Sequence, residues 1–516
     1  MASSVTPWGD VATSMLRATG YHALRRAGLS HSTVVVSTED FVGSMVWQPF
    51  AMGSVRVMGD ASAAADATMQ QVVLVRGDVV TMNATRTVLR DGAVAVSGQV
   101  ITHVGTFDEL RPMFPDAAVI GTADTIVTPG YINAHQHFTG DRLVQSCIPD
   151  AIDSQDAIYN WAVPVHTGHS ADDDELSATL AAVAAVTNGI TCTVEAGTVA
   201  HPERVAAGLQ RVGLRATIGR WGWDTEGLPF SAPTDEVLDQ QRALVKKFPP
   251  GGIVEAWVTL VGHDLMSDAL VAGASDLARN LNTGMTFHMS PHGGDPVTYV
   301  ARTGLRPLVH LDRLGVLGDH VLIGHAVHLD DSEVELVLAT RTAVASCPWA
   351  YLRLAQGFIG ASRHDELFRR GGRIALGCDG ENAGDAVDIL KSASLFIGIA
   401  RDRAVDPFSF TSDDAMALAT VRGAEAIGKG NLIGSIEVGK QADLVVHSTR
   451  GAQFTPRGND PVRQIIWASD GRSVNDVLIA GRQVVRDGRC VTVDIDDLRS
   501  AARERRDALL ASRTTV

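Results

Sequence analysis

The segment IVTPGYINAHQH, residues 126–137, opens a series of eight strand-like runs that are separated by helical stretches. The later runs are GITCTVEAG, LRATIGRW, GIVEAWVTLVGH, GMTFHMS, HVLIGHAVH, TAVASCPWA and RIALGCDG, the last of which ends at Gly380. Eight strand and helix repeats over about 250 residues are typical of a (β/α)8 barrel. We therefore predict an α/β fold built on a TIM barrel.

Two segments outside this series have a different rhythm. Short β-rich runs such as QVVLVRG, DVVTMN and GAVAVSGQVITHVG begin near residue 72, and similar runs, GSIEVGKQADLVVHS, VNDVLIAG and RQVVRDGRCVTVD, return near the C-terminus. Runs of this length bounded by turn residues indicate small antiparallel strands. We expect both segments to form one small β-sandwich. The predicted organisation is an extension of unknown role (1–69), a sandwich (70–127 with 434–495), a metal-dependent hydrolase barrel (128–433) and a C-terminal helix (496–516).

Composition narrows the range of partners. The 516 residues are 45% hydrophobic and 20% charged, which is typical of a folded globular chain. A net charge of −15 argues against an unassisted nucleic-acid surface. The sequence contains neither a membrane-length apolar run nor a signal-like leader, and its five cysteines are widely spaced. We expect a cytoplasmic protein that binds a small molecule, not nucleic acid or membrane, and that forms a homo-oligomer, as enzymes of this size commonly do.

Several metal-binding residue types fall at the ends of predicted strands. His135 and His137 alternate along the first strand, so both imidazoles point to one side. His288, His325 and Asp379 end later strands, where barrels carry catalytic residues. Taken singly, each is more typical of a core histidine or a turn cap. Together they offer the imidazole and carboxylate ligands that a divalent zinc, iron, manganese or cobalt ion needs.

The ordered series VTPGYINAHQH, GITCTV, TFHMS, IGHAVHLDDSE, ASCPWAYLRLAQG, ALGCDG and GSIEVGKQADLVV resembles the amidohydrolase superfamily. The likeness is to its cytosine-deaminase-like branch, which includes atrazine chlorohydrolase and the methylthioadenosine/S-adenosylhomocysteine deaminases, and it covers about residues 70–495. It implies one divalent metal per chain, zinc before iron, manganese or cobalt, held by His135, His137, His288 and Asp379. It further implies that His325 hydrogen-bonds the metal-bound water and that His263 contacts the substrate.

The chemistry of such a site follows from its groups. A bound divalent ion lowers the pKa of its water and supplies a hydroxide that attacks an electrophilic trigonal carbon. Asp379 can accept the water proton, and His325 can steady the nucleophile or the developing oxyanion. The fourth run ends without a lysine, so a carboxylated lysine that bridges two metals is not indicated, and Glu195 is the only spare carboxylate nearby.

One family feature is missing from this chain. In the family's deaminases and chlorohydrolases, a glutamate three residues after the strand-five histidine shuttles protons, but here Pro291 holds that position and has no ionisable group. His292, Asp295 and Glu381 are alternative acids, although His292 is equally typical of a loop and Glu381 of a substrate contact. The absence of this glutamate favours hydrolysis of an amide, urea, carbamate or thiocarbamate over deamination of an N-heterocycle. A third alternative is an inactive barrel that only binds a ligand.

Aromatic residues near strand ends suggest the character of the pocket. Trp221 and Trp223 flank Gly222 at the end of the third run, and Trp161, Trp349 and Tyr351 also lie near strand ends. Each could instead pack in the barrel wall. We expect a mainly hydrophobic small molecule whose contacts include Trp221, Trp223, Trp349, His263, His292 and Glu381.

Overall fold

The structure is a computed structural model that describes residues 71–152, 156–197, 200–227 and 230–513. The predicted N-terminal extension, residues 1–69, lies outside the described residues. The strands are β1 Val72–Val80, β2 Val88–Ser97, β3 Val100–Thr106, β4 Ala118–Pro129, β5 Tyr131–Gln136, β6 Ile190–Glu195, β7 Arg215–Ile218, β8 Val254–Ala256, β9 Val258–Gly262, β10 Met285–Met289, β11 Val321–His325, β12 Ala343–Ser346, β13 Arg373–Leu376, β14 Leu444–His447, β15 Val474–Ile479, β16 Arg482–Arg486 and β17 Arg489–Cys490.

Helices fill most of the intervals between strands. They are α1 Phe107–Met113, α2 Val163–Gly168, α3 Ala171–Thr187, α4 Pro202–Val212, α5 Thr234–Lys247, α6 Asp268–Asn280, α7 Gly294–Thr303, α8 Pro307–Arg313, α9 Asp331–Thr340, α10 Pro348–Arg353, α11 Phe358–Ala361, α12 His364–Arg369, α13 Ile389–Ala404, α14 Ser412–Ala419, α15 Val421–Ala426, α16 Pro461–Ala468 and α17 Ile495–Arg513. Short 3-10 turns occupy Gly140–Val144, Ala452–Phe454 and Gly471–Ser473, and a π-helical turn occupies Ala157–Ala162. Among the described residues, no helix combines the length and apolarity that a membrane crossing requires.

Two parallel sheets carry the strands of the repeated series. One has the order β5-β6-β7-β8, and the other has the order β9-β10-β11-β12-β13. Each predicted run contains one of these strands, except that the fourth contains both β8 and β9, which Trp257 separates. Helices follow most of these strands, so both sheet faces are covered and the strands are buried along most of their length. The α/β class is confirmed.

The edges of the two parallel sheets are hydrogen-bonded to each other. Beyond the end of β13, the N–H groups of Cys378 and Asp379 donate to the carbonyl of His135 on β5, at 3.2 and 2.9 Å. At the other junction, the N–H of Val261 on β9 donates to the carbonyl of Gly222, which follows β7, at 3.0 Å. The carboxyl ends of β5 and β13 therefore lie side by side.

The remaining strands form one mixed sheet from both ends of the described chain. Its order is β3-β2-β1-β4-β14-β15-β16-β17, and the antiparallel pair β4 and β14, in register at Thr128 and Val445, joins the two segments. The β1 and β4 pair is parallel, while the other pairs are antiparallel. The two segments thus share a sheet, and the two-layered sandwich stays a prediction.

A buried ion pair links this mixed sheet to the four-stranded parallel sheet. Arg215 on β7 donates two hydrogen bonds, both 3.0 Å, to the carboxylate of Asp443, which precedes β14. The two side chains are 2% and 1% exposed, and Asp443 also accepts the N–H of Ala480 at 2.8 Å. Because removing either charge would leave the other buried without its partner, this pair fixes the position of β7 against β14.

Candidate metal centre and active site

The five residues that the sequence places at strand ends meet in the structure. His135 and His137 lie at the end of β5, His288 lies on β10, His325 ends β11, and Asp379 follows β13. The ring centroid of His135 is 5.2 Å from that of His137, 4.9 Å from that of His288 and 4.8 Å from that of His325. Parallel strands bring their carboxyl ends to one edge, which explains why residues 244 positions apart become neighbours.

The distances between ligand atoms suit a single small cation. Nε2 of His137 lies 3.3 Å from Oδ1 of Asp379 and 3.3 Å from Nε2 of His288, and Nε2 of His135 lies 3.7 Å from the same Asp379 oxygen. Two ligands of a tetrahedral ion with bonds of about 2.0–2.1 Å are about 3.3 Å apart. Two overlapping sets of three residues could hold a metal, and within each set the ligand atoms lie within 4.8 Å of one another. One set is His135, His137 and His288, and the other is His135, His325 and Asp379.

Unpaired nitrogen atoms provide an independent test of a metal site. His135 is fully buried, and neither of its ring nitrogens has a hydrogen-bond partner among the described residues. His288 donates Nδ1–H to the carbonyl of Val261 at 2.6 Å, which leaves its Nε2 as a bare lone pair that faces Nε2 of His137. Buried nitrogens without a partner cost free energy, whereas a bound cation would satisfy them. The residues present therefore fit a divalent metal.

The space for the His135 ring depends on a glycine. A Cβ at Gly324 on β11 would lie 2.6 Å from Cε1 and 2.9 Å from Nδ1 of His135. Such separations are well inside normal van der Waals contact. Gly324 therefore leaves room for the imidazole of His135, on β5, to cross the backbone of β11 and reach the centre.

The protonation states favour metal binding. Burial lowers the pKa of His288 to about 3 and holds those of His135 and His325 well below the ordinary range. Burial alone would raise the pKa of Asp379, but its hydrogen bond with His137 and the nearby His135 outweigh that effect and lower it. The carboxylate in turn raises the pKa of His137 in spite of burial. The neutral imidazoles of His135 and His288 beside an ionised carboxylate form a donor set suited to zinc and other first-row ions.

Backbone conformation adds a second mark of function at these positions. His325 and Asp379 have φ of +81° and +66°, and His263 and Ser290 near them have +52° and +51°. Residues other than glycine rarely adopt this left-handed backbone conformation. Those that do cluster at active sites, where the surrounding packing holds them in place. Four of them occur at or just after the carboxyl ends of β9, β10, β11 and β13.

His325 is oriented from behind. Its Nδ1 lies 3.3 Å from the hydroxyl of Tyr351, and that hydroxyl donates to the carbonyl of Ala345 at 3.2 Å. Because the single hydroxyl proton is used, His325 donates Nδ1–H to the tyrosine oxygen and keeps Nε2 as a lone pair. Tyr351, which the sequence analysis placed near a pocket, is thus a positioning contact for His325.

The polar residues around Pro291 make local contacts. Asp295 accepts from Nδ1 of His263 at 2.7 Å and from the N–H of Ser290 at 2.8 Å, so its Oδ2 is committed. Nδ1 of His292 accepts the N–H of Gly294 at 3.0 Å, which is a turn contact. The ring of His263 stacks on His288 with centroids 5.7 Å apart and lies next to the centre.

Glu381 lies beside the centre and is buried. Its Oε1 accepts from Nη1 of Arg142 at 3.0 Å, while Oε2 has no hydrogen-bond partner among the described residues. Burial raises the pKa of Glu381 to about 7, a rise that Arg142 only partly offsets. Glu195 ends β6, and its Oε1 accepts the N–H of Gly197 at 3.2 Å.

Two residues that the sequence analysis did not single out adjoin the centre. Nε2 of His166 donates to Oδ1 of Asp141 at 2.8 Å, and the same oxygen accepts from the side chain of Asn382 at 3.1 Å. A Cβ at Gly380 would lie 2.5 Å from Oδ2 of Asp141, so this carboxylate is next to the residue that follows Asp379. Neither His166 nor Asp141 lies in a recognisable motif. The only signal in the sequence is that it contains more histidines than the predicted metal site uses.

The predicted pocket tryptophans divide into two kinds. Trp349 donates its indole N–H to the carbonyl of Gly384 at 2.7 Å and so supports a loop. Trp221 and Trp223 are buried, meet edge to face at 4.4 Å and pack with Val261. Neither of these two indole N–H groups has a partner among the described residues. Val261 is the residue whose carbonyl holds His288, so this pair borders the centre.

A family model described as "Amidohydrolase family" matches residues 126–484. The chain belongs to the amidohydrolase family. This match confirms the family resemblance and the prediction of a hydrolase that acts on carbon–nitrogen bonds other than peptide bonds.

Relatives of this amidohydrolase span nearly its whole described length. A 5-methylthioadenosine/S-adenosylhomocysteine deaminase of Syntrophobacter fumaroxidans is 26% identical over 84% of this chain and 97% of its own. A zinc-bound adenosine deaminase structure from Xanthomonas campestris is 27% identical, with a TM-score of 0.80 over 85% of this chain and 98% of its own. The zinc complex of atrazine chlorohydrolase TrzN from Arthrobacter aurescens shares the fold, with a TM-score of 0.76 at 19% identity over 85% of this chain and 99% of its own.

Proposed function

We propose that this amidohydrolase is a mononuclear metal-dependent enzyme that cleaves a C–N bond of the amide, urea, carbamate or thiocarbamate type in a small organic molecule. The observation that carries the proposal is the buried cluster at the strand ends, in which both nitrogens of His135 lack partners. We assign His135, His137, His288 and Asp379 as the ligands. Zinc is the first choice, since two structures with this fold are described with zinc.

When bound, the metal supplies an activated water at neutral pH. The residues of the chain then divide the remaining work. Asp379 is ionised and accepts the proton that the water loses, and it can pass that proton to the departing nitrogen. His325, held by Tyr351, directs its Nε2 lone pair towards the centre and orients the nucleophile. His263, stacked on His288 and held by Asp295, forms the adjacent wall of the site.

Pro291 is the reason for preferring this bond type. Beside it, Asp295 is used by His263, and Nδ1 of His292 accepts from a turn N–H. Two carboxyl groups, Asp379 and Glu381, then remain beside the centre, and we assign the proton transfer to Asp379 because it belongs to the ligand cluster. A single carrier suits leaving groups that need one proton transfer. Deamination of an N-heterocycle is the second candidate, and the deaminase names of the relatives that cover this chain support it.

A closed barrel and a two-layered sandwich are the architecture that fits these sheets. We propose that β5 to β13 close into one barrel, with β8 and β9 as a single interrupted strand, because both sheet junctions carry hydrogen bonds between the sheets. The barrel would take residues 128–433, and the sandwich would take 70–127 with 434–495. A second layer of that sandwich would come from the bends of the mixed sheet, whose pairings shift register at several points.

Metal content and turnover of the wild type and His288→Ala, compared in the same preparations, test this proposal. We expect about one metal per chain in the wild type, and loss of both metal and activity in the variant. His320→Ala is the matched control. His320 lies just before β11, the strand that ends at His325, and its side chain forms a hydrogen bond with Ser275 away from the centre. A panel of amides, ureas, carbamates, thiocarbamates and aminoheterocycles identifies the bond, and release of ammonia from the aminoheterocycles would favour deamination. Activity without metal would exclude the mechanism, and a loaded but inactive protein would leave only a ligand-binding barrel.

A further inference from the structure

A wall of nitrogen atoms without partners lies beside the metal centre. The indole N–H groups of Trp221 and Trp223 and Nδ1 of His166 have no hydrogen-bond partner among the described residues. All three side chains are at least nine-tenths buried, with exposures of 7%, 3% and 4%. The rings touch in sequence, because the centroid of Trp221 is 4.4 Å from that of Trp223 and 5.2 Å from that of His166.

This wall is anchored to the centre at both ends. On one side, the two tryptophans pack on Val261, whose carbonyl accepts Nδ1–H of His288. On the other side, His166 is held by Asp141, whose Oδ2 lies against Gly380, the residue after Asp379. Trp221 also lines a cavity of about 210 Å³ with Phe230 and Ala232. The wall is therefore connected to the centre through Val261 on one side and through Asp141 on the other.

The hydrogen-bond character of each atom follows from its partner. Asp141 accepts from both His166 and Asn382, so it acts as a carboxylate and His166 carries its proton on Nε2. In the neutral ring Nδ1 is then an acceptor, while each indole can only donate. With His166 neutral, the wall offers two donors and one acceptor in adjacent positions. Buried groups of this kind are costly unless they are paired, and at an active site the partner is the ligand.

We propose that Trp221, Trp223 and His166 form a recognition subsite for a substrate edge that carries an N–H next to a C=O, as in a carboxamide, lactam or ureide. The carbonyl accepts from the indoles, and the N–H donates to Nδ1 of His166. This inference rests on the proposed hydrolytic function and narrows its substrates to those with such an edge. It also changes the expected role of the tryptophans, which the sequence analysis assigned to an apolar pocket.

The unmethylated and methylated forms of one small cyclic ureide test the subsite. Hydantoin has adjacent N–H and C=O groups, whereas 1,3-dimethylhydantoin keeps the carbonyls and loses the N–H groups. Binding of each to purified full-length protein is measured by saturation-transfer NMR, with the spectra also reporting any hydrolysis. We expect hydantoin to bind at millimolar concentration, and the dimethyl form to bind at least about tenfold more weakly.

Variants show whether these residues provide the contacts. Trp221→Phe removes the indole N–H but keeps an aromatic ring, and His166→Leu removes the acceptor; each should weaken hydantoin binding about tenfold. Trp257→Phe is the matched control, because Trp257 is also buried but donates its N–H to Glu255. Equal binding of both hydantoins, absence of hydantoin binding, or unchanged binding in Trp221→Phe and His166→Leu would overturn the proposal.

The same measurements in His288→Ala separate the subsite from the proposed hydrolysis. This variant should lose metal and turnover but still discriminate between the two hydantoins, since the wall does not include His288. If the wild type neither binds metal nor turns over any substrate, the proposed function fails while selective hydantoin binding would still support the subsite. If turnover occurs and hydantoin binding does not depend on Trp221, the subsite fails and the hydrolase stands.

Discussion

Substitution of Gly324 by alanine should displace a predicted metal ligand without touching the metal. The new methyl carbon would lie 2.6 Å from Cε1 of His135. Carbon atoms normally approach to about 3.5–4.0 Å, so the ring must retreat by about 1 Å. The ring is fully buried and the backbone of His135 accepts hydrogen bonds from Cys378 and Asp379, so the retreat occurs by rotation of the side chain.

That movement is large on the scale of metal coordination. Ligand distances in protein sites hold to within about 0.2 Å, and disturbed support of a single ligand weakens metal binding about 10- to 100-fold. We therefore expect Gly324→Ala to bind zinc 10- to 100-fold more weakly than the wild type, as measured by competition with a chromophoric chelator, with turnover restored in part by excess zinc.

A second glycine gives the control. Gly293→Ala would place its methyl no closer than 3.7 Å to any atom outside its chain neighbours, the nearest being in His328, and its φ of −68° suits alanine. It should bind zinc as the wild type does. Circular dichroism of the metal-free proteins checks that Gly324→Ala is folded. Unchanged zinc affinity in a folded Gly324→Ala would refute the assignment of His135 as a ligand in this geometry.

Three further predictions concern stability. Arg215→Met should lower the free energy of unfolding by about 3–5 kcal/mol, because it leaves Asp443 charged and buried, and Arg215→Met/Asp443→Leu should recover most of that loss in urea unfolding; equal loss in the double variant would contradict this. Asp173 is buried, which raises its pKa, but hydrogen bonds from Arg505 and Ser170 outweigh burial and lower the pKa to about 2. Its stabilisation is therefore complete above the unfolded value of about 3.9 and is lost as pH falls towards 2, so Asp173→Asn should be less stable at pH 7 and should match the wild type near pH 2 in thermal unfolding; a difference that persists at pH 2 would argue against the linkage. Removal of metal by dipicolinate should abolish turnover and lower the thermal midpoint, because an ion present at about 100 times its dissociation constant contributes about 2.7 kcal/mol, and zinc should restore both; a midpoint indifferent to metal would count against a site in the folded core.

The sequence alone determined the periodic features and the residues tied to them. Strand and helix alternation is a local property of the chain, so all eight strand runs could be located. The spacing of His135 and His137 follows from the two-residue period of a strand. Because carboxyl ends of parallel strands share one edge, His288, His325 and Asp379 could be placed with them before any coordinates were known.

Only the tertiary structure decided contacts between segments without periodic or motif signals. The pairing of His166 with Asp141 and of Arg142 with Glu381 depends on how the segment after β5 folds against the loop after β13. The commitment of Asp295 to His263 could not be read from either residue. Whether the indole N–H of Trp221 is paired depends on every atom around it, whereas the sequence shows only an aromatic ring. Local patterns therefore placed the candidate ligands at strand ends, and three-dimensional packing decided which buried polar atoms lack a partner among the described residues.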